Sequence, residues 1–382
     1  MSLLNFTEEH DLFRKTVKQF VEKEIRPNVE QWELEGKTPR HVWERAGELG
    51  FLGLTYPEEY GGMNADYLYT LILSEELARC DSPGVSLGLA VQTDMATPAI
   101  AHFGNEFLKR NYLEPAIRGK MICSIAVTEP GCGSDVAGIR TKAVKHGDSY
   151  LINGTKMFIT NGTQADFLTL LARTSDAQGH GGFSLFVVPT STHGFSVGRS
   201  LKKISHLSSD TAEIVLEDVR VSEEHRIGDE GKGFVYQMKQ FQFERLAGAF
   251  QMLGAMKRCY ELTKTYIQQR ETFGQALASY QVTKHKMAQM LAEIMSVEAL
   301  AQYCVSRVQA GGDFTRDTSI LKLIAAQTQM RVSNECCQLH GGYGLMSEYA
   351  VARYYRDSKL SEIGGGSNEV MKEIIAKMEG FR

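Results

Sequence analysis

From Leu246 to Met256 the chain carries no charge, inside a helical pattern that covers 234–269. A helix that is apolar on every side is enclosed by protein, not laid on a surface. The C-terminal third must therefore supply further helices to surround it. Long periodic segments at 281–309 and 316–340, with a shorter one at 369–378, meet that demand and predict four core helices packed antiparallel. Glu244 and Arg245 stand at the head of the apolar run, just after Phe241 and Phe243. A carboxylate entering such a core must be paired, protonated or kept for chemistry. A salt bridge at the helix end is the plainer reading of Glu244, and the run alone does not separate the two.

The rest of the chain has other textures. Thr7 can cap a helix with Glu8 and Glu9 in its first turn, and Phe13, Val17, Phe20, Val21 and Ile25 keep helical period up to Pro27. Segments 43–52, 67–78 and 97–113 read the same way, the last expected to stop just short of Pro115. Near Ile122 the pattern turns to strands. Segment 149–160 holds Asn153-Gly154 between two β-prone runs and predicts a hairpin. Segments 167–171, 183–188 and 212–216 add strands at the spacing of a small sandwich or barrel. The glycine-rich stretch 228–233 then marks the return to helix. The expected order is an N-terminal all-α domain (1–120), a central β-barrel or sandwich domain (121–232) and a C-terminal four-helix bundle (233–382).

A chain of 382 residues is past the size at which one core stops growing, which suits several domains. A net charge of −4 leaves no basic surplus for nucleic acid or an anionic membrane. Seven scattered cysteines without a CxxC pair fit a reducing compartment and argue against structural zinc or a disulfide scaffold. No apolar stretch reaches membrane-spanning length. Segment 1–7 leads straight into the first helix with no room for a leader, so a cytoplasmic location is expected.

Five segments carry candidate chemistry. The first is Ala126-Val127-Thr128-Glu129-Pro130-Gly131-Cys132-Gly133-Ser134-Asp135-Val136-Ala137-Gly138. Its glycines and hydroxyls allow a loop to present backbone N–H groups to an anion such as a pyrophosphate. It is not GxGxxG, since the third glycine comes late and the context is β. The second is Met157-Phe158-Ile159-Thr160-Asn161-Gly162, where an aromatic and a hydroxyl could flank a flat heterocycle. The third, Arg270-Glu271-Thr272-Phe273-Gly274, suits an anion clamp with an apolar contact, although a dipole-favoured helix end explains it equally. The fourth and fifth are Gln338-Leu339-His340-Gly341-Gly342-Tyr343-Gly344 and Glu362-Ile363-Gly364-Gly365-Gly366-Ser367-Asn368-Glu369. Each sets glycines between helices, where backbone approaches something closely or simply turns. Gly84-Val85-Ser86-Leu87-Gly88 matches the GxSxG elbow of serine hydrolases, but the strand that must precede the serine is missing.

In this order the five segments resemble the acyl-CoA dehydrogenase family, and the likeness spans the whole chain. The resemblance implies the fold already outlined and FAD bound between the β-domain and the bundle. It places Ala126, Val127, Thr128, Gly133 and Ser134, with Phe158, Ile159 and Thr160, on the flavin side. Phe158 stands where a tryptophan is common, and Thr160 would bond near flavin N5. Arg270, Phe273, Gln281, Gln338, Gly341 and Gly342 would complete the FAD site across a subunit interface, so an oligomer is expected, a tetramer in particular. Ser367 and Glu369 fall on the FAD side, although many relatives have glutamine at the second. Ser134, Ser209, Arg245 and Gly366 would meet the acyl-CoA.

The implied reaction removes an α-proton as a β-hydride leaves, so a base is needed in a dry site. Many members carry it as a glutamate at the position of Gly365, which cannot supply one. The isovaleryl-CoA and long-chain branches place it before the arginine of the long bundle helix, which is Glu244 here. Gly365 keeps the backbone N–H that would polarise the thioester oxygen. The strings 240–245, 363–366 and 91–98 are most similar to bacterial citronellyl-CoA dehydrogenases, which implies a branched or medium-to-long acyl chain. Electrons would pass to an electron-transfer flavoprotein. Same-fold alternatives are an oxidase that uses oxygen and a catalytically silent acyl-CoA-binding protein.

Overall fold

The computed structural model describes residue 4 and residues 6–176 and 180–381. Met1, Ser2, Leu3 and Asn5, on which the reading of the N-terminal segment rested, lie outside the described residues. Thr7 caps Glu8–Phe20 in a capping box, its hydroxyl accepting from the His10 N–H while the His10 ring accepts from the Thr7 N–H. The expectation that the helix stops short of Pro115 is corrected: Pro115 sits in the first turn of Glu114–Ile117, as Pro83 opens Pro83–Ala90. A first-turn residue has no N–H bond to lose, so proline fits there. Segment 97–113 is divided instead at Gly104-Asn105, where Asn105 accepts from the Leu108 N–H at 2.9 Å and starts a new turn.

Eight strands follow: β1 (Cys123–Ala126), β2 (Lys142–His146), β3 (Ser149–Thr160), β4 (Phe167–Arg173), β5 (Phe183–Pro189), β6 (Phe195–Ser200), β7 (Thr211–Ser222) and β8 (Arg226–Ile227). They form one sheet in the order β6-β7-β3-β2-β4-β5-β8, with β1 parallel to β4. Leu168, Leu170, Phe186 and Val188 pack with Tyr150 and Ile152. Phe167, Leu171, Phe183 and Leu185 join Ile100, Leu113 and Ile117 of the N-terminal helices in a separate core. With both faces covered, β4 and β5 read as nearly continuous apolar runs.

The hairpin expected at Asn153-Gly154 is not formed. Segment 149–160 is a single strand, and the turn lies at Gly147-Asp148, with His146 paired to Ser149. Gly147 takes φ +64°, as a two-residue turn with glycine first requires. Gly154 answers a different need: the register with β7 shifts beside it, and a Cβ there would lie 2.4 Å from Thr141 Oγ1. Glycine in a strand can mark a bulge or a close approach as well as a turn.

The bundle consists of Gly233–Gln269, Gln281–Gln309 and Thr315–His340, with Asn368–Met378 packed on the last of these and a short helix, Ala350–Ser358, between them in sequence. Leu246, Phe250, Leu253 and Met256 are buried with Ile294, Val297, Leu321, Ala325 and Cys336, so the charge-free run lies in the core as required. Tyr67–Leu77 crosses it so tightly that a Cβ on Gly254 would come within 2.0 Å of the Glu75 carbonyl oxygen. All seven cysteines are buried and free. Among the described residues no helix is long and apolar enough to cross a membrane, and no cluster of metal-ligating side chains occurs.

Candidate active site

Glu244 lies in the N-terminal part of Gly233–Gln269, and the Gly364-Gly365-Gly366 turn comes to meet it. A Cβ on Gly365 would stand 3.8 Å from Glu244 Oε1. The two positions from which the resemblance could draw a base thus converge on one point, and only Glu244 carries a carboxylate. Gly365 and Gly366 take φ +63° and +96°, left-handed conformations that favour glycine. Glu244 Oε2 is buried without a hydrogen-bond partner among the described residues. Desolvation pushes its carboxyl up to about 8, with Asp94 adding to the rise and Arg245 opposing it. The helix-end salt bridge is not made. Arg245 directs its guanidinium elsewhere, Nε donating to Gly365 O at 3.2 Å and Nη1 to Gln242 Oε1 at 3.4 Å.

A second cation holds the same turn. Lys322, on Thr315–His340, is buried and donates through Nζ to Gly366 O. Burial pulls its ammonium down to about 8, with Arg245 adding to the fall. With Arg245 on one carbonyl and Lys322 on the next, the turn is fixed, and the Gly365 N–H has no intramolecular acceptor among the described residues. Sequence reasoning missed Lys322, although a lysine at a core-facing position of Leu321-Lys322-Leu323-Ile324 is a signal.

The segment Val91–Ala96, a stretch of π-helix, forms another wall. Gln240 Nε2 donates to Met95 O, and Tyr56 donates to Thr93 O at 3.0 Å. Tyr67 donates to Phe243 O at 3.0 Å. Desolvation pushes the Asp94 carboxyl up to about 7, and its charge acts on Tyr56, Tyr67 and Glu244, raising all three.

The loop 126–138 docks on β3. Met157 N–H donates to Thr128 O at 2.9 Å, and Lys156 Nζ reaches Val127 O at 2.9 Å and Glu129 Oε1 at 3.0 Å. Lys156 is fully buried, and desolvation lowers it to about 8 against the pull of Glu129. Ala126 and Val127 are buried; Gly133 and Ser134 are exposed, with nothing within 4 Å of a Cβ built on Gly131 or Gly133. At the end of β3 the register shifts, Ile159 turns inward and Phe158 is 67 % exposed at φ +61°. Ser124 Oγ donates to Thr160 O at 2.8 Å, and the Thr160 hydroxyl keeps no partner among the described residues. Ser367 caps the last helix by accepting from the Val370 N–H at 3.3 Å, and Glu369 beside it is exposed. Ser209 is 3 % exposed, its hydroxyl donating to Asp210 O at 3.3 Å, so a substrate contact there requires its loop to open.

Arg270, Phe273, Gln281, Gln338, Gly341 and Gly342 are not brought to this place. Arg270 ends the helix that carries Glu244, roughly 39 Å farther along its axis. Gln338, Gly341 and Gly342 share that far end, since the Tyr266 and His340 rings stack there at 4.2 Å. Phe273 is 99 % exposed at φ +49°, and Arg270, Gln281, Gln338, Gly341 and Gly342 are exposed as well. The sequence-predicted residues therefore fall into two groups at opposite ends of Gly233–Gln269.

Family models of the acyl-CoA dehydrogenase N-terminal, middle and C-terminal domains match residues 7–120, 124–219 and 231–379. The mitochondrial long-chain specific acyl-CoA dehydrogenase of Sus scrofa is 39 % identical over 377 residues, which cover 97 % of this chain and 86 % of that protein. The crystal structure of an acyl-CoA dehydrogenase from Geobacillus kaustophilus superposes with a TM-score of 0.95 at 40 % identity, over 100 % of both chains. A glutaryl-CoA dehydrogenase from Mycobacterium smegmatis, solved in complex with FADH2, gives a TM-score of 0.93 at 30 % identity over 99 % of this chain and 96 % of that one. With the three domain models matched in order along the chain and a relative 39 % identical over 97 % of it, the chain belongs to the acyl-CoA dehydrogenase family.

Proposed function

We propose that this enzyme binds FAD and removes the α-proton of an acyl-CoA thioester with Glu244, giving the trans-2-enoyl-CoA. The observation that carries the proposal is the approach of Glu244 Oε1 to within 3.8 Å of a Cβ built on Gly365. The residues fit the cofactor: an exposed aromatic in a left-handed conformation, a free Thr160 hydroxyl and an open glycine loop suit a flat ring joined to a pyrophosphate. Bound FAD supplies the hydride acceptor. Val127, Thr128, Phe158 and Thr160 orient the ring, and Gly133 and Ser134 present the loop to the phosphates. Glu244, in a site poor in water, holds the abstracted proton, as its raised carboxyl pKa allows. The Gly365 N–H, fixed by Arg245 and Lys322, donates to the thioester oxygen and acidifies the α-proton.

The domain division at 120 and 232, an electron-transfer flavoprotein as acceptor and a branched or medium-to-long acyl chain belong to the same proposal. So does a homo-oligomer, a tetramer, in which a second protomer brings Arg270, Phe273, Gln281, Gln338, Gly341 and Gly342. The exposure of these residues at the far end of the bundle supports it.

Purified enzyme is expected to be yellow and to bleach anaerobically with an acyl-CoA. Glu244→Gln is expected to keep the flavin and lose substrate-dependent bleaching; near-normal bleaching places the base elsewhere.

A further inference from the structure

Glu244 shares its helix face with two more polar side chains. Gln240 and Gln237 precede it by four and seven residues, so the three form one stripe, with the glutamines about 6 and 10 Å from Glu244 along the axis. Gln237 is fully buried, and neither its amide nitrogen nor its amide oxygen has a partner among the described residues. Gln240 is 7 % exposed; its nitrogen holds Met95 O while its oxygen has no partner. That bond sets the stripe against Val91–Ala96, whose Asp94 lies within electrostatic reach of Glu244.

Buried polar atoms without partners are rare in folded proteins and mark places where water or a ligand supplies the bond. A plain hydrocarbon chain seated here would expel water and leave the Gln237 amide and the Gln240 oxygen unpaired, which is costly. A chain bearing oxygen would pair with them. Asp94, at about 7 against about 8 for Glu244, is the first of the two to ionise, so it meets a chain hydroxyl as an acceptor.

Resting on the reading of Glu244 as the base, we propose that the acyl pocket is built for a thioester whose chain carries a hydroxyl beyond the β-carbon, a hydroxyacyl-CoA, with Gln237, Gln240 and Asp94 as its hydrogen-bonding partners. The rejection of an unsubstituted chain follows from the groups it would leave unpaired, the most effective form of discrimination open to a binding site.

The test compares octanoyl-CoA with ω-hydroxyoctanoyl-CoA on the holoenzyme, by anaerobic flavin bleaching and by kcat/KM. Wild type is expected to favour the hydroxyacyl thioester at least tenfold. Gln237→Leu is expected to bring that ratio to unity or below, with octanoyl-CoA turnover rising. Asp94→Asn, which keeps the side-chain shape, is expected to lower the ratio too and serves if the leucine variant does not fold. Bleaching by both thioesters with no preference for the hydroxyacyl form overturns this assignment alone. No bleaching by either overturns the reading of Glu244 and this one with it. An unchanged preference in both folded variants also removes Gln237 and Asp94 from the pocket.

Discussion

Replacing Glu244 with glutamine should stabilise the protein while silencing it, and the gain should depend on pH in a defined way. Desolvation sets the folded carboxyl at about 8 against 4.5 for an ordinary glutamate. Below pH 4.5 the group is neutral whether the chain is folded or not, so wild type and Glu244→Gln should not differ. Between 4.5 and 8 the unfolded chain gives up this proton while the native state retains it, so wild-type stability falls as pH rises; above 8 the loss is complete. At about 1.36 kcal/mol per pH unit the full difference is at most about 5 kcal/mol. Glu244 is half-buried, so solvent screens part of its charge and about 2 kcal/mol is the working figure. The assay is thermal unfolding of wild type and variant across pH 5–9 with FAD content matched. The melting temperature of the variant should draw ahead up to about pH 8 and then hold a constant lead. A gap that is absent at every pH, or that narrows as pH rises, would refute a desolvated base at this position. The catalytic loss in the same variant should be roughly 10²–10⁴-fold, the usual contribution of a positioned base.

Lys156→Met should leave Glu129 buried without its cation and lower stability by about 3 kcal/mol. Because Lys156 also holds Val127 O, the variant should lose flavin on gel filtration; full flavin retention with an unchanged melting temperature would contradict this. Gly254→Ala gains about 1 kcal/mol of helix propensity but drives a methyl group into the Glu75 carbonyl, so a net loss of about 2 kcal/mol is expected on thermal unfolding. A rise in melting temperature would show that the two helices can separate. Ser86→Ala should keep activity, and wild type should resist a fluorophosphonate probe, because Ser86 is 3 % exposed on Pro83–Ala90 with its hydroxyl on Pro83 O at 3.0 Å.

The parts of the fold that were legible in the sequence were those enforced by many residues at once. The charge-free run could only be a buried helix, and the limits of the long bundle helices followed from sustained periodicity. What misled was punctuation by single residues. Pro115 sits in the first turn of Glu114–Ile117, which requires knowing where the helix starts. Gly154 looks like a turn but is there for Thr141, a neighbour brought close only by the sheet. Glu244 stood out because a charge beside an apolar run has few innocent explanations. Gln237 and Gln240 lie in a segment mixed enough to pass as a solvated helix face, and Asp94 in a polar stretch that gives no hint of burial. Only packing reveals that water is kept from them.

The helix Gly233–Gln269 is a stiff rod with the proposed base near one end and Arg270 at the other, so no folding of a lone chain can bring Glu244 and Arg270 together. In the proposed oligomer each working site is shared property of two chains. Two silent proteins, Glu244→Gln and Arg270→Ala, should therefore rescue each other when co-expressed, because a mixed assembly contains pairings in which both contributors are intact. Dilution should act in the same way as mutation, releasing flavin from a protein whose fold is undisturbed.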